Sequence, residues 1–179
     1  MVFTHDTEAS LLAAVALVNS AEPPDTLTTP AQLDAFLVAH RYSGDRTHDD
    51  AELAAVRALR APLRTLLTAD RDDAVAQINA ILAERRAVPR LVRHDGWDYH
   101  LHATDPSAPF ADRIAVETAM AMVDVIRADE LSRLAVCADE TCDGIVLDLS
   151  RNRSRRYCST ACGNRNSVAA YRARRSADG

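Results

Sequence analysis

Near the end of the chain, the segments CADETC (residues 137–142) and CSTAC (residues 158–162) hold all four cysteines. Fifteen residues separate the pair Cys137 and Cys142 from the pair Cys158 and Cys162. Two close pairs at such a separation are typical of a four-cysteine zinc module, in which each pair gives two thiolates to one tetrahedral ion. The sequence therefore predicts one structural Zn²⁺ on these four residues.

Two other uses of the cysteines stay open at this stage. Disulfides suit small secreted domains, but the first residues (MVFTHD, 1–6) lack the basic stretch and long apolar core of a signal peptide. The reducing cytosol is therefore the expected compartment, and paired cysteines there more often bind metal. An iron-sulfur cluster remains an alternative, because four thiolates alone do not select the metal.

Composition favours helices for the rest of the chain. Of its 179 residues 47% are hydrophobic, whereas only 4% are aromatic and five are glycine. Such a chain can bury a core, and its alanine and leucine content is typical of helices rather than of a sandwich of short strands. No run of about 18 apolar residues occurs, so we expect a soluble protein without a membrane partner.

Charge is distributed very unevenly. All 21 basic residues are arginine, and residues 1–148 carry 13 of them against 25 acids, whereas residues 149–177 carry eight and no acid. A basic end on an acidic chain predicts a polyanionic partner. Guanidinium groups suit phosphate oxygens and guanine edges. The candidate nucleic-acid-binding residues are Arg151, Arg153, Arg155, Arg156, Arg165, Arg172, Arg174 and Arg175.

Apolar periodicity and capping residues predict five helices before the finger. One covers the block at residues 11–18, and a second begins with the capping box TPAQ (residues 29–32). A third opens at residues 47–50 and should be kinked or divided by Pro62. The others are expected at residues 70–86 and 109–127, and a short helical turn at 129–134 leads into the first cysteine.

Between these helices the sequence predicts one β-hairpin. Extended runs at residues 90–94 and 97–102 flank Asp95 and Gly96, a pair that favours a two-residue type I′ turn. Trp97 and Tyr99 on this ribbon could line a small-molecule pocket or simply anchor the ribbon to the helices.

The same ribbon carries two of the six histidines. His100 and His102 lie two apart on a strand, so both could face one side and meet a metal. Ordinary alternation favours another interpretation, in which both are polar residues on an exposed face opposite Tyr99 and Leu101. No third ligand stands out, since His5, His40, His48 and His94 are scattered.

Within the finger, residues 144–149 are a strand candidate, and residues 153–157 could return beside it after a turn at 150–152. Ser159 can cap a helix from Thr160 to about Arg175, which places Cys162 in its first turn. Cys142 would then lie on a short turn, or knuckle, ahead of the hairpin. A knuckle, a hairpin and a helix that carries a ligand together form a treble-clef-like arrangement. The predicted fold is therefore mainly α with a small β-hairpin: a helical N-terminal domain (residues 1–134) and a four-cysteine zinc finger (residues 135–179).

Several motifs in the finger carry a resemblance to a known family. The two cysteine pairs, Leu147 with Asp148, the run SRNRSRRYC (residues 150–158) and above all CGNR (residues 162–165) resemble the CGNR zinc-finger family. Residues 17–20 (LVNS) and 89–91 (PRL) resemble, less specifically, the ABATE domain that usually precedes this finger. Tyr157 stands where that family often has tryptophan, and Ser20 where it often has threonine.

The resemblance implies a bacterial stress-responsive transcription regulator with zinc on the four cysteines and a finger that binds DNA. The N-terminal domain would then sense a signal or ligand. Two other classes stay open, a protein-interaction module and an iron-sulfur redox sensor, both without direct DNA contact. No enzyme is expected, since nothing in the sequence resembles a nucleophile elbow, a phosphate loop or a zinc-hydrolase motif.

Overall fold

The computed structural model describes residues 2–94, 96 and 98–177, and helices dominate them. The helices are α1 (His5–Asn19), α2 (Pro30–Ala39), α3 (Asp50–Ala58), α4 (Arg60–Thr68), α5 (Arg71–Glu84), α6 (Phe110–Arg127) and α7 (Thr160–Ala177). One turn of 3₁₀ helix at Leu131–Arg133 precedes the finger. The expectation of a mainly helical chain is confirmed.

Helix α6 is the centre of the core and packs between α1 and α5. Its fully buried residues include Ile114, Val116 and Met122, and Leu11 and Leu17 of α1 are equally inaccessible. Burying a side chain of this size contributes about 1.5–3 kcal/mol. This apolar contact, rather than helix propensity, holds the N-terminal domain together.

The capping signals in the sequence correspond to real helix starts. The Thr29 hydroxyl accepts from the Gln32 amide, and the Gln32 side chain accepts from the Thr29 amide, which is the predicted capping box at the start of α2. The third predicted helix is divided, as expected, but at Leu59 rather than at Pro62. Pro62 then falls in the first turn of α4, where its missing N–H costs no helical hydrogen bond.

The first β-hairpin has a different register from the predicted one. Strand β1 (Arg90–Val92) pairs antiparallel with β2 (His100–His102), and Arg90 lies opposite His102. A two-residue turn at Asp95 and Gly96 would instead place Arg90 opposite Leu101. Asp95 itself lies outside the described residues, but the pairing register excludes that tight turn. A one-residue change of register moves side chains to the other face of a strand.

The second hairpin uses a partner that the sequence prediction missed. Strand β4 (Ile145–Leu147) pairs with β3 (Leu134–Val136), not with residues 153–157. All three residues of β4 are buried, and Ile145 and Leu147 join the main core beside the helices. Exposed arginines in residues 153–157 cannot offer a comparable apolar edge. The domain boundary at residue 134 stays a prediction, and it falls inside β3.

Among the described residues, no helix combines the length and apolar character needed to cross a bilayer.

Candidate metal centre and the cavity of the N-terminal domain

The four cysteines come from four short segments that meet around one point. Cys137 directly follows β3, Cys142 precedes β4, Cys158 ends the arginine-rich loop, and Cys162 lies in the first turn of α7. Their sulfur atoms all lie within 4.8 Å of one another. The structure therefore brings the four predicted ligand residues together.

The sulfur separations suit a tetrahedral ion. Cys142 Sγ lies 3.5 Å from Cys158 Sγ, which lies 3.7 Å from Cys162 Sγ. A tetrahedral ion with metal-sulfur bonds of about 2.3 Å separates its sulfur ligands by about 3.8 Å. All four cysteines are free, and the separations are far longer than the ~2.05 Å of a disulfide bond. The arrangement fits a metal and not a pair of disulfides.

Hydrogen-bond donors surround the sulfurs. The amides of Gly144 and Cys158 lie 3.4 Å from Cys142 Sγ and Cys137 Sγ, and the Ser159 hydroxyl lies 3.3 Å from Cys162 Sγ. The bond from Ser159 lowers the pKa of Cys162, whereas burial raises the pKa of Cys158. A bound cation would favour the thiolate forms of all four. The donors therefore suit a site that carries excess negative charge.

A glycine allows the loops to close on the sulfurs. A Cβ at Gly144 would lie 2.8 Å from Cys158 Sγ and 3.3 Å from Cys142 Sγ, so a larger residue there would occupy the site. Gly163 of the CGNR motif has no such constraint, because its added Cβ would reach only Tyr157 Cδ2, at 3.6 Å. The residues present thus fit a structural metal, and Gly144 is the point at which the backbone comes closest to the sulfurs.

Arg165, the last residue of the CGNR motif, turns back towards the metal site. Its Nη2 lies 2.7 Å from a carboxylate oxygen of Asp139 and 3.3 Å from Cys162 Sγ. Asp139 is buried and also accepts from the amide and hydroxyl of Thr141, which lower its pKa most, with Arg165 adding to that effect. The pair joins the first cysteine loop to α7, while half of the Arg165 side chain stays exposed.

The other predicted nucleic-acid-binding arginines fall into two groups. Arg155 donates to the carbonyl oxygens of Tyr157 and Cys158, and Arg153 pairs with Glu130 and donates to Ser132. These two brace the loop. The remaining five are exposed: Arg151, Arg156, Arg172, Arg174 and Arg175. Their role in nucleic-acid binding stays a prediction.

Two polar side chains to which sequence reasoning assigned no contact join the finger to the helices. The Asn19 side chain at the end of α1 bonds both backbone groups of Ile145. Arg133, which is only 6% exposed, donates to the carbonyl oxygens of Asp148 and Ser150 and pairs with Glu130. Local sequence does not reveal these contacts, although Asn19 lies in the LVNS motif, because the bonded backbone atoms of Ile145, Asp148 and Ser150 lie more than ten residues away.

A cavity of about 450 Å³ lies between the β1–β2 ribbon and helices α1 and α6. His94, His100 and His102 line it, whereas Tyr99 is not among the lining residues and is 67% exposed. The sequence interpretation of His100 and His102 as residues on the outer face is therefore wrong, because the register places them on the cavity side. Trp97, the other residue considered for a pocket, lies outside the described residues.

His94 completes a histidine cluster that the sequence prediction missed. Its imidazole joins those of His100 and His102, and one nitrogen from each lies within 4.8 Å of the others. Burial lowers the pKa of His102 to about 4, with smaller effects from the neighbouring histidines and arginines, so this ring is neutral at neutral pH. The prediction that His100 and His102 lack a third ligand is therefore wrong, because the fold brings His94 beside them.

Two further polar groups of the cavity are poorly solvated. Burial raises the pKa of Glu117 on α6 to about 7, although Arg113 acts in the opposite direction. The Tyr42 hydroxyl is buried and, within the described residues, has no hydrogen-bond partner. Burial and the nearby Glu117 carboxylate raise the pKa of this phenol. A buried polar group without a partner is unfavourable, so it suits a cavity that takes a polar ligand.

Comparison with known proteins agrees with this anatomy. The model of the family described as "CGNR zinc finger" matches residues 133–175, which include all four cysteines. The ABATE model, described as "Putative stress-induced transcription regulator", matches residues 12–129, more than half of the chain. No curated protein matches the chain. The chain therefore belongs to the ABATE family and carries a CGNR zinc finger behind its helical domain.

Proposed function

We propose that the protein is a zinc-dependent, DNA-binding transcription regulator of the cytosol, whose N-terminal domain senses a ligand. One structural Zn²⁺ on Cys137, Cys142, Cys158 and Cys162 shapes the finger. The observation that carries the proposal is the unbalanced charge of residues 149–177, which hold eight arginines and no acid. A basic surface on a rigid, metal-held element is the electrostatic footprint of nucleic-acid binding.

Helix α7 suits insertion into a groove. Every residue from Ser167 to Arg175 is exposed, so this half of the helix stands clear of the core. Arg165 and Arg172 are seven residues apart and share a side of the helix. Val168 and Tyr171, which are 48% and 54% exposed, add apolar surface on the same segment. An α-helix with arginines and apolar groups matches the width and chemistry of the DNA major groove.

The arginines of the finger have two proposed roles. Arg172, Arg174 and Arg175 on α7, with Arg151 and Arg156 on the loop, are the proposed DNA contacts. Arg153 and Arg155 hold the loop, and Arg165 holds α7 against Asp139 while its exposed half remains accessible to a phosphate. Removing loop-holding arginines would therefore alter the finger as well as its charge.

The sensor role rests on the cavity between the ribbon and α1 and α6. A volume of about 450 Å³ lies within the range of small-molecule sites, and more than half of its lining residues are polar or charged, the rest being apolar. The proposed activity is binding and regulation, not catalysis.

Selection of bound sequences from random duplex DNA by the zinc-loaded chain tests the proposal directly. Enrichment of a motif, with an affinity that falls steeply with salt, is expected, since each neutralised phosphate contributes roughly −0.9 to the logarithmic salt slope. Changing Arg172 and Arg174 together to glutamine should reduce the slope by about 1.8 at unchanged zinc content. Arg86→Gln, an exposed arginine of the N-terminal domain, is the matched control.

The alternatives predict different results. A protein-interaction finger would bind one zinc per chain but enrich no DNA sequence, and its affinity for DNA would not distinguish the arginine variants from the control. An iron-sulfur redox sensor would contain iron and absorb visible light. Either result would reject the proposed function.

A further inference from the structure

Three histidines of the β1–β2 ribbon converge on one point at the cavity wall. His100 Nε2 lies 3.0 Å from His102 Nε2, which lies 3.3 Å from His94 Nε2. The ring centroids form a nearly equilateral triangle with sides of 4.8, 5.0 and 4.9 Å. Each ring is tilted by 64° to 75° from its neighbours, so the three are not stacked. This is an arrangement of three ligands around a common centre.

The nitrogen separations fit a metal ion. A tetrahedral ion with metal-nitrogen bonds of 2.0 to 2.1 Å separates two imidazole nitrogens by about 3.3 Å. The observed Nε2 separations of 3.0 and 3.3 Å lie close to that value.

A backbone carbonyl orients one ring of the cluster. His100 Nδ1 lies 2.8 Å from the Asp98 carbonyl oxygen, which only accepts, so the proton of the neutral ring is on Nδ1 and Nε2 presents a lone pair. A cation between the rings would accept this lone pair together with one from each of the other two imidazoles. A backbone carbonyl that orients the remote nitrogen is also a usual companion of a metal-binding histidine.

The register of the ribbon creates the cluster. Because Val92 lies opposite His100 and Arg90 opposite His102, the even-numbered residues of both strands share one face. His94 continues that face beyond β1 and joins the other two histidines at the cavity wall. The tight turn expected from sequence would have placed His94 on the face of the ribbon opposite to His100 and His102.

The cavity provides room for a further ligand of such an ion. Glu117 lines the same space, as do the carboxylates Asp6 and Asp124 and the Tyr42 hydroxyl, which has no hydrogen-bond partner within the described part of the chain. Glu117 opposes the positive charge of Arg113, which lies with Arg90 near His102. Three histidines with an open fourth position are the ligand set of an exchangeable or ligand-accepting metal site rather than of a closed structural one.

We propose that His94, His100 and His102 bind a first-row divalent transition-metal ion, with Zn²⁺ as the representative, and that its fourth position opens to the cavity. Imidazole ligands select this class over Mg²⁺ and Ca²⁺, which prefer oxygen. The site is separate from the four cysteines of the finger. The ion bound at this site would be the ligand that the proposed sensor domain detects. Only this regulatory role rests on the proposed function; the binding of the ion does not.

Titration of untagged, zinc-loaded full-length protein with Zn²⁺ in a calorimeter tests the site. We expect one equivalent beyond the zinc of the finger. His100→Ala and His102→Ala should weaken this second binding at least tenfold, the smallest loss usual when even an outer partner of a metal ligand is removed. His48→Ala, an exposed histidine outside the cavity, should bind as the wild type does. Absence of a second equivalent, or equal binding by all variants, would overturn the proposal.

A measurement on the wild-type protein avoids any folding defect of the variants. Long-range ¹⁵N–¹H spectra should show the Nε2 resonances of three histidines moving on addition of Zn²⁺ while those of the other three stay in place. Unmoved resonances would reject the site.

The DNA experiment separates the two ideas. Zinc uptake at the histidines without any DNA binding would leave the site intact and reject the regulator. DNA binding with no second zinc would reject the site alone.

Discussion

The side chain of Asn19, the last residue of α1, hydrogen-bonds both backbone groups of Ile145, the first residue of β4. Asn19 Nδ2 donates to the Ile145 carbonyl oxygen at 2.8 Å, and the Ile145 amide donates to Asn19 Oδ1 at 2.6 Å. The asparagine therefore acts like one residue of a neighbouring strand and joins the four-cysteine end of the chain to the helices.

Asn19→Ala should destabilise the protein, because it leaves the amide and carbonyl of the buried Ile145 without partners. We expect a loss of about 1–3 kcal/mol in the free energy of unfolding, measured by urea denaturation. Asn79→Ala on the exposed face of α5 is the control and should cost nothing. Equal denaturation midpoints for the two variants would contradict the role of Asn19.

Gly144→Ala should weaken metal binding by the finger. The new Cβ would lie 2.8 Å from Cys158 Sγ, a sulfur that cannot move while it is bound to the ion. Competition with a chelator is expected to show at least a tenfold lower affinity, comparable to other defects in the surroundings of metal ligands. The matched variant Gly163→Ala meets only Tyr157 at 3.6 Å and should retain the wild-type affinity.

Asp139→Asn should accelerate the release of zinc. The change removes the negative charge that holds Arg165 beside Cys162 Sγ, while an amide oxygen can still accept from Thr141. Release can be timed with a coloured chelator. Glu140→Gln removes the charge of an exposed neighbour and should have no effect; identical rates in both variants would show that the Asp139–Arg165 pair does not support the site.

Acid should destabilise the N-terminal domain partly through Asp25. Hydrogen bonds from Arg60 lower the pKa of Asp25 to about 2 from a usual 3.8. The folded state then binds fewer protons than the unfolded one, so the stabilisation is present above about pH 4 and is lost as the pH falls towards 2. After allowance for solvent screening it amounts to about 1 kcal/mol.

Asp25→Asn provides the measurement for this effect. The difference in unfolding free energy between wild type and variant should be largest near pH 6 and should shrink between pH 4 and pH 2. A difference that stays constant over this range would assign the stabilisation to something other than the charge of Asp25.

Local signals predicted much of this molecule. The capping box at Thr29 and Gln32 and the apolar stripe of α6 depend on residues a few positions apart, so pattern alone identifies them. The four cysteines are equally easy to identify, because the type and spacing of the ligand residues alone indicate a metal site.

Long-range choices were not predictable in the same way. Asp95 and Gly96 favour a tight turn locally, yet the observed register, with Arg90 opposite His102, excludes it. That one-residue difference in register decides whether His94 lies on the same face as His100. The partner of β4 was missed for a similar reason: Leu134 to Val136 offer an apolar edge that residues 153–157 lack, and only the packed core makes the difference visible.

The dual position of β4 extends the influence of the finger metal beyond the finger. Ile145 and Leu147 belong to the helical core, while Gly144, immediately before them, touches the sulfurs of Cys142 and Cys158. Without the ion, one side of the helical core would therefore be less tightly packed, as would the finger itself. Cellular proteases, which attack loosened chains, would then remove copies that never received the ion, so the supply of that metal would set how much of the protein a cell keeps.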